Sequence, residues 1–439
     1  MRRNTVIQRA ILCLIPILAP TTGLAADLAL IHQQAANQDP VIKAAAAAKQ
    51  SLIETLPQSR ALLLPSITLN ASKSETTQEV LSGSAFLFSG ESQGYTLTLV
   101  QPLFHRDYFA RLAQADKIVA QAEVDYIAAE QALITRTAQQ YFDALAAQDN
   151  LDFAHAEKNA LARQLEQTKQ RFEVGLIAIT DVHEAQAAYD LVTAQTIEAE
   201  NHLASQREAL RELTNQYHDS LSRLGNELPL IKPEPTDIEQ WSQQALQYNL
   251  ALQSAQLNVN AAQDEIRIYQ AGHLPQLDLN ASHSYSDSNG GSFGSRETED
   301  RSISLQLSIP LYQGGATSSK VRAAQGRYQQ ALEAAEQQRR ETIRQARDGY
   351  RGVLAAIKRV KALQQAVISA QSALTATEAG LEVGTRTTVD VLQSQRNVFR
   401  AQRDHARARY DYILNTLRLK QVSGQLQPAD LQQVNRWLD

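Results

Sequence analysis

The chain has 439 residues, a formal net charge of −5 and aromatic side chains at only 6% of its positions. The mildly acidic balance argues against nucleic acid as a partner, and few aromatics among many Ala and Gln residues favour long, closely packed helices over a globular interior. The one cysteine, Cys13, lies near the N-terminus, so the remainder of the chain offers no disulfide, thiolate metal site or cysteine nucleophile.

Residues 1–26 have the pattern of a signal peptide. An apolar run at 11–19 follows three arginines and precedes the small residues of 23–26. At about nine residues, the run is too short to span a bilayer as a helix. We therefore predict a mature chain that begins at Ala26 or Asp27, and the loss of the three arginines takes its formal net charge from −5 to −8.

An internal duplication covers the rest of the chain. Three motifs occur twice in the same order, 208 to 210 residues apart, at 64–72 and 274–282, at 102–104 and 310–312, and at 174–182 and 383–391. Such self-similarity indicates that one structural unit is present twice. We therefore predict a first repeat at 27–224, a proline-marked linker at 225–236 and a second repeat at 237–439.

Each repeat is predicted to contain two helices, two strands and two long helices. The strands are expected at about 66–80, 91–101, 276–287 and 300–309. Apolar and polar residues alternate along them, which fits a membrane strand facing a wet lumen as well as a sheet over a soluble core. A strand tolerates proline best at its ends, where the missing N–H does least harm. Four prolines are predicted to mark the junctions between strands and helices: Pro65, Pro102, Pro275 and Pro310.

The long helices are predicted to form two hairpins, at 106–223 and 316–423. Their first arms contain no proline, and each would be a rod of roughly 100 Å at 1.5 Å per residue. Beyond Thr180, a seven-residue spacing typical of coiled coils links Val182, Tyr189, Thr196, Leu203, Leu210 and Tyr217. The same frame, shifted by 209 residues, continues in the second hairpin.

Four strands are too few to close a membrane barrel, because single-chain barrels begin at eight strands. Left open, the sheet would expose unpaired edges, which are costly in lipid. If the strands are transmembrane, the chain must therefore oligomerise, and each copy would donate four strands.

The turns between the long helices read RFEVGLIAITDV at 171–182 and VGTRTTVDVL at 383–392. Together with the duplicated order and the four prolines, these turns resemble the TolC family of outer-membrane export ducts over nearly all of the mature chain. The resemblance implies a mainly α fold with a membrane β-barrel, in which a homotrimer in outer-membrane lipid forms a twelve-stranded barrel continuous with a periplasmic α-helical tunnel. It also implies docking onto a periplasmic adaptor (a membrane fusion protein) joined to an inner-membrane pump or ABC transporter.

The glycines of the two turns are the first candidate site residues. Gly175 and Gly384 are expected to end the preceding helices in the left-handed conformation that glycine adopts most easily. On the family pattern, the compact tips leave Leu176 and Thr385 exposed to meet the adaptor. The chain is accordingly expected to be a passive exit duct of a tripartite efflux pump or a type I secretion system.

The first turns of the helices that follow carry candidate capping pairs. Asp181 with Glu184, and Thr387 with Asp390, each fit a capping box. A carboxylate at this place is also favourable against the helix dipole.

The resemblance implies that the same region is a gate. Arg386 would bond to Thr180 and Asp181 of a neighbouring hairpin, and Asp390 would face the pore as a ring of carboxylates that favours cations. Two family side chains, a gate tyrosine and a second pore carboxylate, are replaced here by Leu381 and Gln393. The gate is therefore expected to have fewer polar links and a weaker cation-binding ring.

Enzymatic signals are poor. Residues 290–294 fit the G-x-S-x-G pattern of a hydrolase, but they are predicted to lie in a polar loop rather than in the required strand–turn–helix. No metal-ligand spacing occurs. We therefore expect no catalytic residue, no metal and no cofactor.

Two other protein classes stay open. A structural or adhesive surface coiled coil would have long heptads without two duplicated strand pairs. A periplasmic adaptor would have one helical hairpin between split β-domains rather than two tandem copies.

Overall fold

The computed structural model describes residues 25–80, 86–225, 227–290 and 294–439. Within these ranges, the chain is mainly α-helical and contains one four-stranded antiparallel sheet, which confirms the predicted fold class at the level of the single chain. Most of the predicted signal peptide, and residues 291–293 of the G-x-S-x-G match, lie outside the described residues. No helix in the described ranges is both long enough and apolar enough to cross a membrane.

In chain order, the elements are α1 (Leu28–Gln38), α2 (Pro40–Ile53), α3 (Thr55–Ala61), β1 (Ser66–Val80), β2 (Phe86–Phe104), α4 (Arg106–Glu173), α5 (Ile179–Thr214), α6 (Ile238–Tyr248), α7 (Leu250–Gln270), β3 (Gln276–Gly290), β4 (Arg296–Ser308), α8 (Ala316–Glu382), α9 (Thr388–Val422) and α10 (Pro428–Asn435).

The four strands are hydrogen-bonded in sequence order, and every neighbouring pair is antiparallel. Strands β2, β3 and β4 are longer than predicted, because their ladders continue through polar and glycine-containing stretches where apolar alternation stops. The position expected for Pro102 was wrong. It lies inside β2 beside a register shift that ends at Phe104, and such a bulge accommodates a residue without an N–H donor.

The long helices confirm the predicted rods. Helices α4 and α8 contain 68 and 67 residues, so each is about 100 Å long. In α5, the predicted heptad positions Thr196, Leu203 and Leu210 are buried. Tyr217 is exposed, contrary to the prediction, because α5 ends at Thr214 and Asn215 adopts a left-handed conformation with φ of 54°.

The two repeats share one core near the middle of the long helices. Phe142 of α4 stacks on Tyr410 of α9 with ring centroids 5.4 Å apart. The Tyr410 hydroxyl donates to Asp149 at 2.6 Å, and burial raises the pKa of Tyr410. Short helices from both repeats close this core with buried apolar side chains that include Leu28, Ile31, Trp241 and Leu431.

Ion pairs join the two hairpins where α4 packs against α9. Arg407 donates to Asp143 at 2.7 Å, and Arg403 donates to Glu157 at 3.1 Å. In both pairs the acid belongs to the first hairpin and the base to the second. We call this contact the intrachain seam.

Candidate functional site

The first hairpin tip is a tight turn between α4 and α5. Gly175 has a φ of 75°, which confirms the expected left-handed glycine. The N–H of Leu176 donates to the carbonyl of Arg171 at 2.9 Å, and this bond across six residues closes the end of α4 as in a Schellman motif.

The predicted capping box at the start of α5 is wrong. The helix begins at Ile179, its N-cap residue is Ala178, and no side chain caps it. Asp181 therefore occupies the third helical position, and the N-cap residue before it has no side-chain oxygen. A carboxylate in this first turn still meets the positive end of the helix dipole.

The second tip has the same backbone path and a stronger cap. Gly384 also has a φ of 75°, and Thr385 donates its N–H to the carbonyl of Gly380 at 2.8 Å. The predicted capping box is confirmed, because the Asp390 N–H donates to the Thr387 hydroxyl at 3.2 Å and the Thr387 N–H donates to the Asp390 carboxylate at 2.9 Å.

This capping box fixes the charge on Asp390. The Thr387 N–H and hydroxyl both donate to Oδ2 of Asp390. These hydrogen bonds, and to a smaller extent the nearby Arg386 guanidinium, lower the pKa of the Asp390 carboxyl. The side chain is therefore an anion throughout the neutral and mildly acidic range, as a cation-binding ring would require.

Arg386 packs against Gly380, a residue that the sequence did not predict to be part of the site. A Cβ built on Gly380 would lie 2.6 Å from Cγ of Arg386, so the arginine stem crosses the helix where Gly380 leaves space. In the first repeat, the positions 209 residues earlier are Arg171 and Ile177. The signal that could have identified Gly380 is a glycine inside a helix, four residues before the glycine of the turn.

The predicted gate residues lie on two different tips. Thr180 and Asp181 are in the first turn of α5, whereas Arg386 precedes α9. Within the described residues of a single chain, no hydrogen bond or ion pair joins Arg386 to either of them. The chain therefore presents both halves of the predicted link without completing it.

Both tips expose apolar side chains. Val174, Leu176 and Val383 are 71%, 73% and 74% exposed. The first tip is the more apolar, because Phe172 and Ile179 are also exposed there, whereas the second tip adds only Val389. Thr385 stands at the position that corresponds to Leu176.

The two faces of the sheet differ in chemistry. Residues paired across strands share a face, and one face is composed almost entirely of small polar side chains. Serine hydroxyls pair across strands on this face, with Ser74 and Ser92 2.8 Å apart and Ser282 and Ser302 also 2.8 Å apart. It is a hydrophilic surface suited to line an aqueous passage.

The opposite face changes from apolar to charged along the strands. Its half nearer the helices includes the cross-strand pairs Ile67–Leu99, Leu69–Leu97 and Leu279–Leu305. Tyr95 and Tyr285 then pair and stack with ring centroids 5.7 Å apart. Beside and beyond the tyrosines the face carries polar and charged side chains, among them His283, Arg301, Lys73, Glu91, Asp287 and Glu297. An apolar band that ends at aromatic residues is typical of a surface in contact with lipid.

Comparisons with known proteins agree with this geometry. The family model described as outer membrane efflux protein matches residues 31–216 and 241–425. The chain is 40% identical to outer membrane protein TolC of Vibrio cholerae, over 94% of both chains. It is 30% identical to the alkaline protease secretion protein AprF of Pseudomonas aeruginosa, over 92% of this chain and 85% of that one.

A solved structure shows the same fold. The outer membrane protein VceC from Vibrio cholerae matches with a TM-score of 0.75 and 22% sequence identity, over 90% of this chain and 96% of that one. The match extends over the strands and the long hairpins together, since it covers nearly the whole of both chains.

Proposed function

Because this chain belongs to the outer membrane efflux protein family, we propose that three copies assemble into one duct. The protein is an exit channel of the outer membrane that serves efflux or type I secretion. In the proposed trimer, each copy contributes four strands to a shared barrel and two hairpins to a periplasmic tunnel.

The observation that carries this proposal is the open sheet. Within the described residues, β1 and β4 each have a hydrogen-bonded neighbour on one side only. Unpaired strand edges are costly in lipid. Because the four strands alternate in direction, β4 of one copy and β1 of the next would also run antiparallel. The pairing pattern could therefore continue around a closed ring, with the serine-rich face inside and the apolar band outside.

The hairpin tips support a docking role. Their exposed apolar side chains lie at the end of each helical rod farthest from the sheet, around Gly175, Leu176, Gly384 and Thr385. A periplasmic adaptor that joins the duct to an inner-membrane pump or ABC transporter would cover them. Burial of apolar surface contributes about 25 cal/mol per Å², and this provides a driving force for the contact.

The gate is proposed at the same tips. Arg386, held over Gly380, would bond to Thr180 and Asp181 of a neighbouring hairpin and narrow the tunnel end. Asp390 would add one carboxylate per copy to a pore ring. Leu381 and Gln393 supply no further charged link, so closure would depend mainly on Arg386.

Planar-bilayer recording tests the proposed function directly. The purified protein is expected to insert and give discrete single-channel steps of one size, because a closed oligomer has one pore. Protein that is folded, as judged by its helical circular dichroism, but gives no discrete steps would contradict the proposal.

A further inference from the structure

A cavity of about 500 Å³ lies between α4, α8 and α9. Its cationic lining consists of Arg359, Arg407 and Arg418, and Asp411 supplies a carboxylate. The rest of the wall is made mainly of small and apolar side chains: Gly352, Ala355, Ala356, Ala408 and Leu414. A cavity of this size can hold a drug-sized molecule. We call it the arginine cavity.

Two carboxylates orient the first two arginines. Nε of Arg407 donates to Oδ1 of Asp411 at 3.1 Å, and its Nη1 donates to Asp143 of α4 at 2.7 Å. Arg359 of α8 donates to the other carboxylate oxygen of Asp411 at 3.4 Å. One aspartate of α9 therefore holds guanidinium groups from two helices at the same cavity.

The third arginine is held by a neutral group. Nη2 of Arg418 donates to the amide oxygen of Gln139 at 2.7 Å. The network thus contains three cations and two carboxylates, and its formal charge is +1. A guanidinium group has five N–H donors, and each of these three uses at most two of them on other side chains within the described residues. Donors therefore remain for an anionic ligand.

The arginine cavity lies on one side of the helix layer in which α9 packs against both α4 and α8. On the other side, one tyrosine hydroxyl from each helix bonds to the backbone of residues 222–236: Tyr141, Tyr350 and Tyr412. Two residues beyond each tyrosine stands a residue of the cavity or its network: Asp143, Gly352 and Leu414. Two residues correspond to about 200° around a helix. The cavity therefore faces away from the linker that covers the opposite side.

The spacing along α9 relates the arginine cavity to the proposed pore. Residues seven apart share a face in a coiled-coil helix, and this spacing connects four residues of α9 with Asp390: Asn397, Asp404, Asp411 and Arg418. Arg359 lies 23 residues before the end of α8 at Glu382, which is roughly 35 Å along the helix. The cavity thus lies on the face that would line the tunnel, well away from the tips.

We propose that the arginine cavity binds organic anions inside the tunnel. Its small net positive charge and its apolar wall fit a drug-sized molecule that carries one carboxylate or sulfonate on an apolar body. Arginine is suited to such groups because its planar guanidinium group can donate two parallel hydrogen bonds to them. The inference rests on the proposed duct and names one class of its cargo. The tunnel would then favour cations at Asp390 and anions at this cavity.

Binding at this site would be weak and reversible, as passage through a duct requires. The side chains of Arg359 and Arg407 are 59% and 42% exposed, so water and salt screen their charges. The affinity of the cavity for an organic anion should therefore fall as the salt concentration rises.

Channel block in planar bilayers tests the site with naphthalene-2-sulfonate as the anion. It should reduce the single-channel current in a saturable way. Arg359→Gln combined with Arg418→Gln should raise the half-blocking concentration about tenfold, since two exposed charge contacts are lost. Both changes leave Arg407, which also links α4 to α9, in place. Lys361→Gln is the matched control, because Lys361 is exposed on α8 and lies about 200° around the helix from Arg359.

The outcomes separate this inference from the duct itself. If discrete steps are seen but naphthalene-2-sulfonate blocks the double variant as well as the unmodified channel, the anion site is wrong and the duct stands. An equal loss of block in Lys361→Gln would show that overall charge, rather than the arginine cavity, is responsible, and would also overturn the inference. If no discrete steps appear at all, both proposals fail.

Thiol modification tests the location of the cavity, because the chain has no cysteine after Cys13. Ala355→Cys places a thiol in the cavity, and Gln364→Cys places one on the tyrosine side of α8, fourteen residues after Tyr350. The rate ratio of a sulfonate-bearing to a trimethylammonium-bearing methanethiosulfonate should be higher at Ala355→Cys. Only that modification should lower the single-channel conductance. Equal ratios at the two positions, or no change in conductance at Ala355→Cys, would contradict an anion site inside the tunnel.

Discussion

Arg403 of α9 donates to Glu157 of α4 at 3.1 Å, and the Glu157 side chain is only 5% exposed. The two residues are 246 positions apart, in different repeats. This pair therefore links α4 of the first hairpin to α9 of the second.

Replacing Arg403 by Leu should destabilise the protein, because it leaves the Glu157 carboxylate buried without its partner. Removal of one member of a buried pair typically costs about 3–5 kcal/mol, and the partial exposure of Arg403 places the expected loss near the lower end of that range. Chemical denaturation of the detergent-solubilised protein would measure it.

Arg400→Leu is the control for this substitution. Arg400 is exposed on the same helix and forms no ion pair in the described part of the chain. A similar loss of stability in both variants would show that helix propensity or solubility, rather than the buried pair, is responsible.

The two tip glycines should not tolerate a side chain. Gly175→Ala and Gly384→Ala force an L-residue to a φ of 75°, which costs roughly 1–2 kcal/mol. We expect faster amide hydrogen exchange in the last turns of α4 and α8. Gly326→Ala is the contrasting substitution, because Gly326 lies near the start of α8 with open space around it. Alanine is favoured there by about 1 kcal/mol, so amide exchange around position 326 should slow while exchange at the tips stays unchanged. Unchanged exchange at the tips in Gly175→Ala and Gly384→Ala would contradict the proposed strain.

Gly380 should control Arg386. Gly380→Ala places a methyl group against the arginine stem and displaces it, so single-channel conductance should rise, as it should in Arg386→Ser. The double variant should conduct no better than Arg386→Ser alone, because both changes act through one side chain. If conductance is unchanged in Arg386→Ser, Arg386 is not part of the gate.

Cation block should be insensitive to pH near neutrality. The pKa of Asp390 lies below its ordinary value of 3.8 because Thr387 donates to the carboxylate. A depressed pKa means that the capping interaction is fully present above the unfolded value and is lost as pH falls through the folded one. Block by a multivalent cation should therefore be constant from about pH 7 to about pH 5 and disappear only as the pH falls below about 4.

Two variants define the origin of that block. Asp390→Asn should abolish it at every pH. Thr387→Ala removes the hydroxyl donor, so loss of block should begin at a higher pH than in the unmodified protein. If cation block in the unmodified channel changes between pH 5 and pH 7, a group other than Asp390 is responsible for it.

Local chemistry determines how much of this molecule can be predicted from its sequence. Gly384 and the Thr387–Asp390 box were predictable because a turn and a cap depend on residues within one helical turn of each other. The predicted Asp181–Glu184 capping box is wrong, because α5 begins two residues before Asp181. Ala178, which has no side-chain oxygen, is therefore the N-cap residue.

Longer-range features were not predictable in the same way. The outer part of β2 was expected to be loop because its glycines and polar residues do not alternate with apolar ones, although its backbone continues the ladder. The Arg403–Glu157 pair and the support of Arg386 by Gly380 depend on how distant segments pack, which no local pattern specifies.

The number of copies in the membrane-extracted particle tests the central claim most directly. Native mass spectrometry of the detergent-solubilised protein should find three copies, and the same species should migrate as an oligomer in SDS until it is heated. A folded particle that contains one copy would contradict the shared barrel, because four strands with two open edges cannot line a pore in lipid.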